Sequence, residues 1–87
     1  MDIVKVFGIN VRKYRTNKKI SQEKFAELCG LHRTYISDIE CFRRSISLNN
    51  IQKIADALEI ETYKLFLEVT LWNLQLRMMN WLFLMVV

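Results

Sequence analysis

A single glycine, Gly30, separates two short amphipathic segments, and this arrangement constrains the fold more than any other feature of the sequence. Gly30 is one of only two glycines in the 87 residues, and the chain contains no proline. The scarcity of both residue types argues against a turn-rich β fold and against flexible linkers. Because a glycine can adopt a positive φ and end a helix, we expect one short helix on each side of Gly30.

Hydrophobic periodicity predicts the other helices of an all-α domain. Ser21 and Ser47 are suited to cap the second and fourth helices, because a serine oxygen can accept a hydrogen bond from an amide of the first turn. The predicted helices are helix 1 over Ile3–Asn17, helix 2 over Gln22–Cys29, helix 3 over Arg33–Glu40 with His32 as its N-cap, helix 4 over Leu48–Leu58, and helix 5 from Glu61 or Thr62.

Each predicted helix carries an apolar stripe that should face a common core, while polar residues such as Asn10 fill much of the remaining surface. A chain of this length buries roughly 60% of its surface, so a partner chain would add stability. The stripes comprise Ile3, Val4, Phe7, Val11 and Tyr14; Phe25, Ala26, Leu28 and Cys29; Ile36 and Ile39; Leu48, Ile51, Ile54, Ala55 and Leu58; and Tyr63, Leu65, Phe66 and Val69.

Charge is distributed unevenly along the chain. Residues 1–53 carry 11 Lys and Arg against 5 Asp and Glu, whereas residues 54–68 carry one Lys against four Asp and Glu. This asymmetry favours a polyanionic partner, nucleic acid before membrane, although an ordinary solvated surface has the same composition. Two cysteines are too few for a disulfide framework or a Cys-based zinc site, and they favour a cytoplasmic protein with reduced thiols.

The connection between helices 2 and 3 is too short for antiparallel packing, so the two helices should cross steeply, as in a helix-turn-helix. Helix 3 would then place Ile36 and Ile39 on the core. A plain helical bundle without any ligand fits the same pattern. The solvent face of helix 3 would consist of Arg33, Thr34, Ser37 and Asp38, with Tyr35 at its flank.

The segment ISQEKFAELCGLHRTYISDIE, residues 20–40, resembles the Cro/repressor (XRE-type) helix-turn-helix family. The continuation over residues 47–58 resembles the fourth helix of that family, and the likeness covers about residues 5–67. The positions that match the family spacing are the Ser-Gln-Glu start, Ala26, Gly30, the pair Ile36 and Ile39, and Glu40.

Within that family, the segment RTYIS, residues 33–37, looks most like the controller proteins of restriction–modification systems. The resemblance implies a homodimeric transcriptional regulator that binds specific sequences of double-stranded DNA with helix 3 in the major groove. No nucleophile–base pair, metal cluster or glycine-rich phosphate loop is visible in the sequence, so we expect neither an enzyme nor a cofactor nor a metal.

The resemblance places three residues, His32, Arg33 and Thr34, at the groove-entering end of helix 3. Arg33 can reach O6 and N7 of a guanine with two parallel hydrogen bonds. Thr34 can offer its methyl group to a thymine or its hydroxyl to a base or phosphate. Asp38 has two interpretations: it accepts a bond from cytosine N4, or it lies beside the DNA backbone without a role.

The resemblance also implies contacts with DNA phosphates. Gln22 is similar to the family glutamine that touches a phosphate and braces the recognition helix. The hydroxyls of Tyr35 and Ser37 can each donate one bond to a phosphate oxygen. Arg43 and Arg44 follow helix 3 in a loop that lies against the DNA backbone in this architecture.

The remaining implications of the resemblance are structural. Arg15, late in helix 1, is expected to pair with Glu40 and so to tie helix 1 to helix 3. The family usually has Arg or Asn and then Gly after this Glu, but here Cys41 and Phe42 follow. Cys41 removes an expected phosphate contact, and Phe42 must adopt another turn or bear the strain of a positive φ.

Residues 69–87 form a separate apolar tail after a DNA-binding domain of residues 1–68, since 14 of these 19 residues are apolar. A helix, a strand and a membrane anchor all fit the pattern, but Arg77 disfavours insertion in a membrane. We favour a helix that buries itself against a second subunit, because such an apolar patch is larger than monomers usually expose. An antitoxin-like module that binds another protein through this tail is the alternative function, and an aberrant end is a further interpretation of the tail.

Overall fold

The computed structural model describes residues 2–68, and the regular secondary structure in this range is entirely helical. The bounds of the first four helices agree with those predicted. The tail of residues 69–87, including its predicted helix and dimer contact, lies outside the described residues. The elements are α1 (Ile3–Asn17), α2 (Gln22–Cys29), α3 (Arg33–Glu40), α4 (Leu48–Leu58) and a short 3₁₀ helix, η1 (Thr62–Phe66).

Serine side chains cap α2 and α4 as predicted. Ser21 Oγ accepts a hydrogen bond from the Lys24 amide at 3.0 Å, and Ser47 Oγ accepts one from the Asn50 amide at 3.2 Å. At the start of α3, His32 occupies the N-cap position with an extended backbone, but its side chain makes no capping bond. The first amides of α3 therefore lack the side-chain acceptor that α2 and α4 have.

All four α-helices end in the same backbone motif, in which a residue of positive φ folds the chain back. After α3, Phe42 has φ +64°, its amide donates to Ile39 O at 3.2 Å, and the Arg43 amide donates to Asp38 O at 2.8 Å. These two bonds define a Schellman motif. Only one of the four positive-φ residues at these helix ends is a glycine. A glycine in the sequence therefore predicts only one of the four helix ends. The four residues are Lys19, Gly30, Phe42 and Glu59.

The core lies where α1, α3 and η1 meet α2 and α4, and most of the predicted stripes line it. Four residues assigned to these stripes are instead exposed, and Leu48 is the extreme case at 84%. Leu48 is in the first turn of α4, at the edge of the buried face, since successive helical residues turn by about 100°. The other three are Ile3, Leu28 and Tyr63.

Asn10, assigned to the outer surface of α1, is in fact buried, with 1% of its area exposed. Its side-chain amide donates to Leu65 O at 2.9 Å and to Leu67 O at 2.8 Å. A regular α-helix would instead use the Leu65 carbonyl to accept an amide four residues on. The predicted fifth helix begins at Thr62 as expected, but it is a 3₁₀ helix of five residues that ends at Phe66, and Leu67 is extended, so a count of five α-helices is not confirmed.

None of the helices within residues 2–68 combines the length and the apolar character needed to cross a membrane.

Gly8→Ala should destabilise the fold, because α1 and α3 approach each other closely at Gly8. A Cβ at this position would clash with the backbone carbonyl of Ile39 and lie 2.8 Å from Cδ1 of Phe42. We expect a loss of about 1–3 kcal/mol in the free energy of unfolding, in spite of the higher helix propensity of alanine. Urea denaturation followed by circular dichroism measures it.

Gly30 provides the control, because a Cβ there meets nothing within 4 Å and the only cost is its φ of +71°. Gly30→Asn should therefore be milder than Gly30→Ala, since asparagine tolerates a positive φ. At Gly8, by contrast, serine should be no better than alanine. A Gly8→Ala protein as stable as the wild type would contradict the close approach.

Candidate nucleic-acid interface

The two faces of α3 differ sharply in burial. Ile36 and Ile39 are buried in the core, whereas His32, Arg33 and Thr34 at the start of the helix are exposed. The other three side chains predicted to face outward, Tyr35, Ser37 and Asp38, are half-buried. The sequence-predicted residues of α3 thus form one accessible surface, and their contact with DNA stays a prediction.

The orientation of α3 is fixed by a buried ion pair between Arg15 and Glu40. Arg15 Nε donates to Glu40 Oε2 at 2.7 Å and Arg15 Nη2 donates to Glu40 Oε1 at 2.9 Å, while Nη1 donates to the carbonyl of Ile20 at 2.8 Å. The Glu40 side chain is only 3% exposed. The hydrogen bond to Glu40 raises the pKa of the Arg15 guanidinium above its ordinary value.

Gln22 joins the same network from α2. Its Nε2 donates to Glu40 Oε1 at 3.1 Å, so the carboxylate of Glu40 receives bonds from both α1 and α2. This geometry supplies the bracing role that the resemblance implied for Gln22. One hydrogen of the Gln22 amide group remains, which is enough for a single further acceptor.

A second network, the arginine cluster, consists of Tyr35, Asp38, Arg43, Arg44 and Asn50. Asp38 Oδ1 lies 3.4 Å from Arg43 Nε, and Asp38 Oδ2 lies 3.5 Å from Arg44 Nη2. The guanidinium carbon of Arg44 lies 4.8 Å from the centroid of the Tyr35 ring, and Asn50 Nδ2 donates to the Tyr35 hydroxyl at 2.9 Å. The cluster connects α3, the following loop and α4.

Phe42 occupies the turn between these two networks, where the family usually has glycine. It bears the positive φ that the missing glycine would have taken freely, at a cost of about 1 kcal/mol. In compensation its ring lies over Gly8 of α1, and 39% of its area remains exposed. Cys41, the residue before it, is exposed and has a free thiol.

Two short helices, α2 and α3, contact each other on either side of Gly30, and α1 is bonded to the end of α3 through Arg15. This is the arrangement of a helix-turn-helix. A family profile described as helix-turn-helix matches residues 11–65. The chain belongs to the helix-turn-helix family.

Relatives of known name support this assignment. The helix-turn-helix chain is similar to control protein C.BamHI of Bacillus amyloliquefaciens, 49% identical over 69 residues, which cover 78% of this chain and 85% of that protein. It is also similar to a hypothetical transcription factor of Neisseria meningitidis, 47% identical over 66 residues, covering 76% of this chain but only 62% of that one. These relatives are named as regulators and not as enzymes.

A solved structure shows the same fold. The crystal structure of the restriction-modification controller protein C.AhdI from Aeromonas hydrophila matches with a TM-score of 0.71 and 46% identity, covering 72% of this chain and 96% of that one. Restriction–modification control proteins are therefore among the relatives of this helix-turn-helix chain, as the RTYIS segment indicated.

Asn50 belongs to the arginine cluster, although no motif in the sequence marks it. Asn50 lies in the first turn of α4, 15 residues after Tyr35, where a polar residue looks like ordinary solvent-facing surface. Only the folded structure, in which the start of α4 reaches the Tyr35 hydroxyl, reveals the contact. Asn10 was missed differently: it lies three residues after Phe7 and one before Val11, so its register on the buried stripe was a usable signal.

Arg15 and Glu40 should be energetically coupled. In a double-mutant cycle with Arg15→Met and Glu40→Gln, we expect each single variant to be strongly destabilised, because it leaves a buried partner unpaired. The coupling energy should be about 1–3 kcal/mol, within the range for contacting groups. Urea denaturation of the four proteins gives this value, and additive effects would show that the pair contributes nothing to stability.

The exposed pair of Lys18 and Glu59, with Nζ and Oε2 3.7 Å apart, is the matched control. The corresponding cycle of Lys18→Met and Glu59→Gln should give a coupling energy below about 0.5 kcal/mol, because solvent screens an exposed pair.

Proposed function

We propose that this chain is a transcriptional regulator that binds specific sequences of double-stranded DNA, of the type that controls restriction–modification systems. The observation that carries the proposal is the exposed start of α3, formed by His32, Arg33 and Thr34, while Arg15 binds Glu40 at the other end of the helix. Control and controller proteins among the relatives support it.

Base reading is assigned to the start of α3. The N-terminal residues of a second helix-turn-helix helix contact base edges in the major groove. Arg33 is exposed and long enough to bond O6 and N7 of one guanine, and Thr34 beside it suits a thymine methyl or a phosphate. The excess of basic over acidic residues in residues 1–53 attracts the polyanion before these contacts form.

Phosphate binding is assigned to the surrounding side chains. The Tyr35 hydroxyl accepts a bond from Asn50, which leaves its own proton free to donate to a phosphate oxygen. Arg43 and Arg44 are exposed in the loop after α3 and present two cations at the same side. Ser37 and the second amide hydrogen of Gln22 add neutral donors.

The proposed assembly is a homodimer that acts in the cytoplasm by occupying its operator. One α3 reads only a few base pairs, which is too little to find a site among the competing sequences of a genome. Two copies related by a twofold axis read two half-sites spaced by one helical turn or a multiple of it. Residues 69–87, of which 14 of 19 are apolar, are proposed to supply the dimer contact.

Arg33→Ala and Arg44→Ala should affect DNA binding in different ways. Arg33→Ala should cost about 1–3 kcal/mol on the operator and relax the preference at one base pair, because a bidentate base contact is lost. Arg44→Ala should weaken binding to all DNA equally and flatten the slope of log K against log salt by about one unit. Footprinting on the DNA upstream of the gene defines the operator, and fluorescence anisotropy measures the affinities.

Arg12→Ala is the matched control, because Arg12 is an exposed arginine of α1 outside the proposed interface. It should change neither the preferred base nor the affinity by more than about twofold. An equal loss of sequence preference from Arg33→Ala and Arg44→Ala would refute the division of roles.

Deletion of residues 69–87 should leave the helix-turn-helix folded but mainly monomeric. Operator affinity should then fall steeply, while weak and salt-sensitive binding to any DNA persists. Analytical ultracentrifugation of the full-length and shortened proteins measures the change. A shortened protein that remains a tight dimer would place the dimer contact within residues 1–68.

A further inference from the structure

Both arginines of the loop after α3 are already bound to a carboxylate of the protein itself. Asp38 lies 3.4 Å from Arg43 Nε and 3.5 Å from Arg44 Nη2, with one carboxylate oxygen directed to each. Asp38 is the more buried member, with 23% of its side chain exposed against 63% and 48% for the arginines. Two cations and one anion thus leave a formal local charge of +1.

The backbone explains why these groups meet. The Schellman turn at Phe42 reverses the chain after α3, and its closing bond joins the Arg43 amide to the carbonyl of Asp38 at 2.8 Å. The side chains of Arg43 and Arg44 therefore start beside the last turn of α3, within reach of the Asp38 carboxylate. This placement follows from the fold and not from chance encounters of long side chains.

Arg44 is held from a second side as well. Its guanidinium lies over the ring of Tyr35, 4.8 Å from the centroid, and Asn50 fixes that ring through its hydroxyl. A guanidinium stacked on an aromatic face and paired with a carboxylate has less freedom than a solvated one. A DNA phosphate must therefore compete with existing partners of Arg44.

We propose that Asp38 is an intramolecular competitor of DNA phosphate, which holds Arg43 and Arg44 on the protein and lowers the affinity for DNA of any sequence. The inference rests on the proposed function and adds a regulation of the same site. When Arg43 and Arg44 bind phosphates, the half-buried Asp38 carboxylate loses its two cationic partners and lies near the negative charges of the phosphates. Phosphate contacts alone then give weak binding, and a stable complex also requires the base contacts of Arg33.

The test measures binding of the full chain to a random-sequence duplex at several salt concentrations. Asp38→Asn keeps the shape of the side chain and removes its charge. We expect the affinity at low salt to rise about three- to tenfold and the salt slope to steepen by about one unit, because the loss of one negative charge raises the local charge that faces phosphates from about +1 to about +2. An unchanged or lower affinity would overturn the proposal.

Asp56→Asn is the matched control, because it removes the same charge from α4, where Asp56 accepts a bond only from Gln52 at 2.8 Å among residues 2–68. It should change the affinity by less than about twofold, since Asp56 is exposed and pairs with neither Arg43 nor Arg44. An equal rise in both variants would mean that net charge alone is responsible, and would overturn the role of Asp38.

A variant with both Arg43→Gln and Arg44→Gln distinguishes two ways in which Asp38 could weaken DNA binding: by holding the two arginines, or by repelling the phosphates directly. In this background Asp38→Asn should have little further effect, since there are no arginines left to release. If the gain in affinity persists undiminished, Asp38 acts by repelling phosphates directly and the competition is wrong.

The Nε–H signal of Arg43 in ¹⁵N NMR tests the restraint without DNA, because Nε is the Arg43 atom that faces Asp38 Oδ1. Its hydrogen should exchange slowly in the wild type and faster in Asp38→Asn, with no change in Asp56→Asn. Fast exchange of this Nε hydrogen in the wild type would show that Asp38 does not hold the arginine, and would overturn the proposal even if the protein binds DNA. If neither the wild type nor any variant binds DNA, the proposed function is refuted and the competition with it. The NMR result would then still show whether Asp38 holds the arginine within the protein.

Discussion

The buried ion pair of Arg15 and Glu40 is the interaction on which the rest of the structure depends. An isolated helix of eight residues is not stable in water, so α3 exists because its apolar face and its last residue are held by other elements. Glu40 receives bonds from α1 through Arg15 and from α2 through Gln22. The Glu40 carboxylate therefore positions α3 against α1 and α2. Because α3 is one rigid helix, this carboxylate also sets the direction in which its exposed start points.

The parts of the fold that could be predicted are those encoded locally. The bounds of α1 to α4 followed from apolar spacing and from serine caps, which act within one helical turn. What the sequence did not reveal depends on contacts between distant segments. Asn10 binds carbonyls 55 and 57 residues away, in the segment where the fifth helix is a short 3₁₀ helix. Likewise, Lys19 and Glu59 end helices where no glycine marks the end.

In the candidate site, too, locally encoded features were predictable and contacts between distant segments were not. The solvent face of α3 was predictable, because the register of Ile36 and Ile39 fixes which residues point away from the core. The ion pair came from family resemblance, since charge type alone would have made Arg15 a DNA contact. The arginine cluster was not predictable: it needs Phe42 in a conformation that glycine usually supplies, and Asn50 from another helix.

The Asn10 bonds also decide how the domain responds to mechanical load. Every force applied to the chain beyond Glu68 enters the domain through the segment that Asn10 fastens to α1, with its two bonds of 2.9 and 2.8 Å. Helix α1 is the longest helix of the domain, with 15 residues, and it receives this load before α3 does. A bulky attachment after residue 68 would therefore act first on η1 and α1. From there the arginine cluster is reached through Arg15 and Glu40, through Phe42 over Gly8, and through Asn50 of α4.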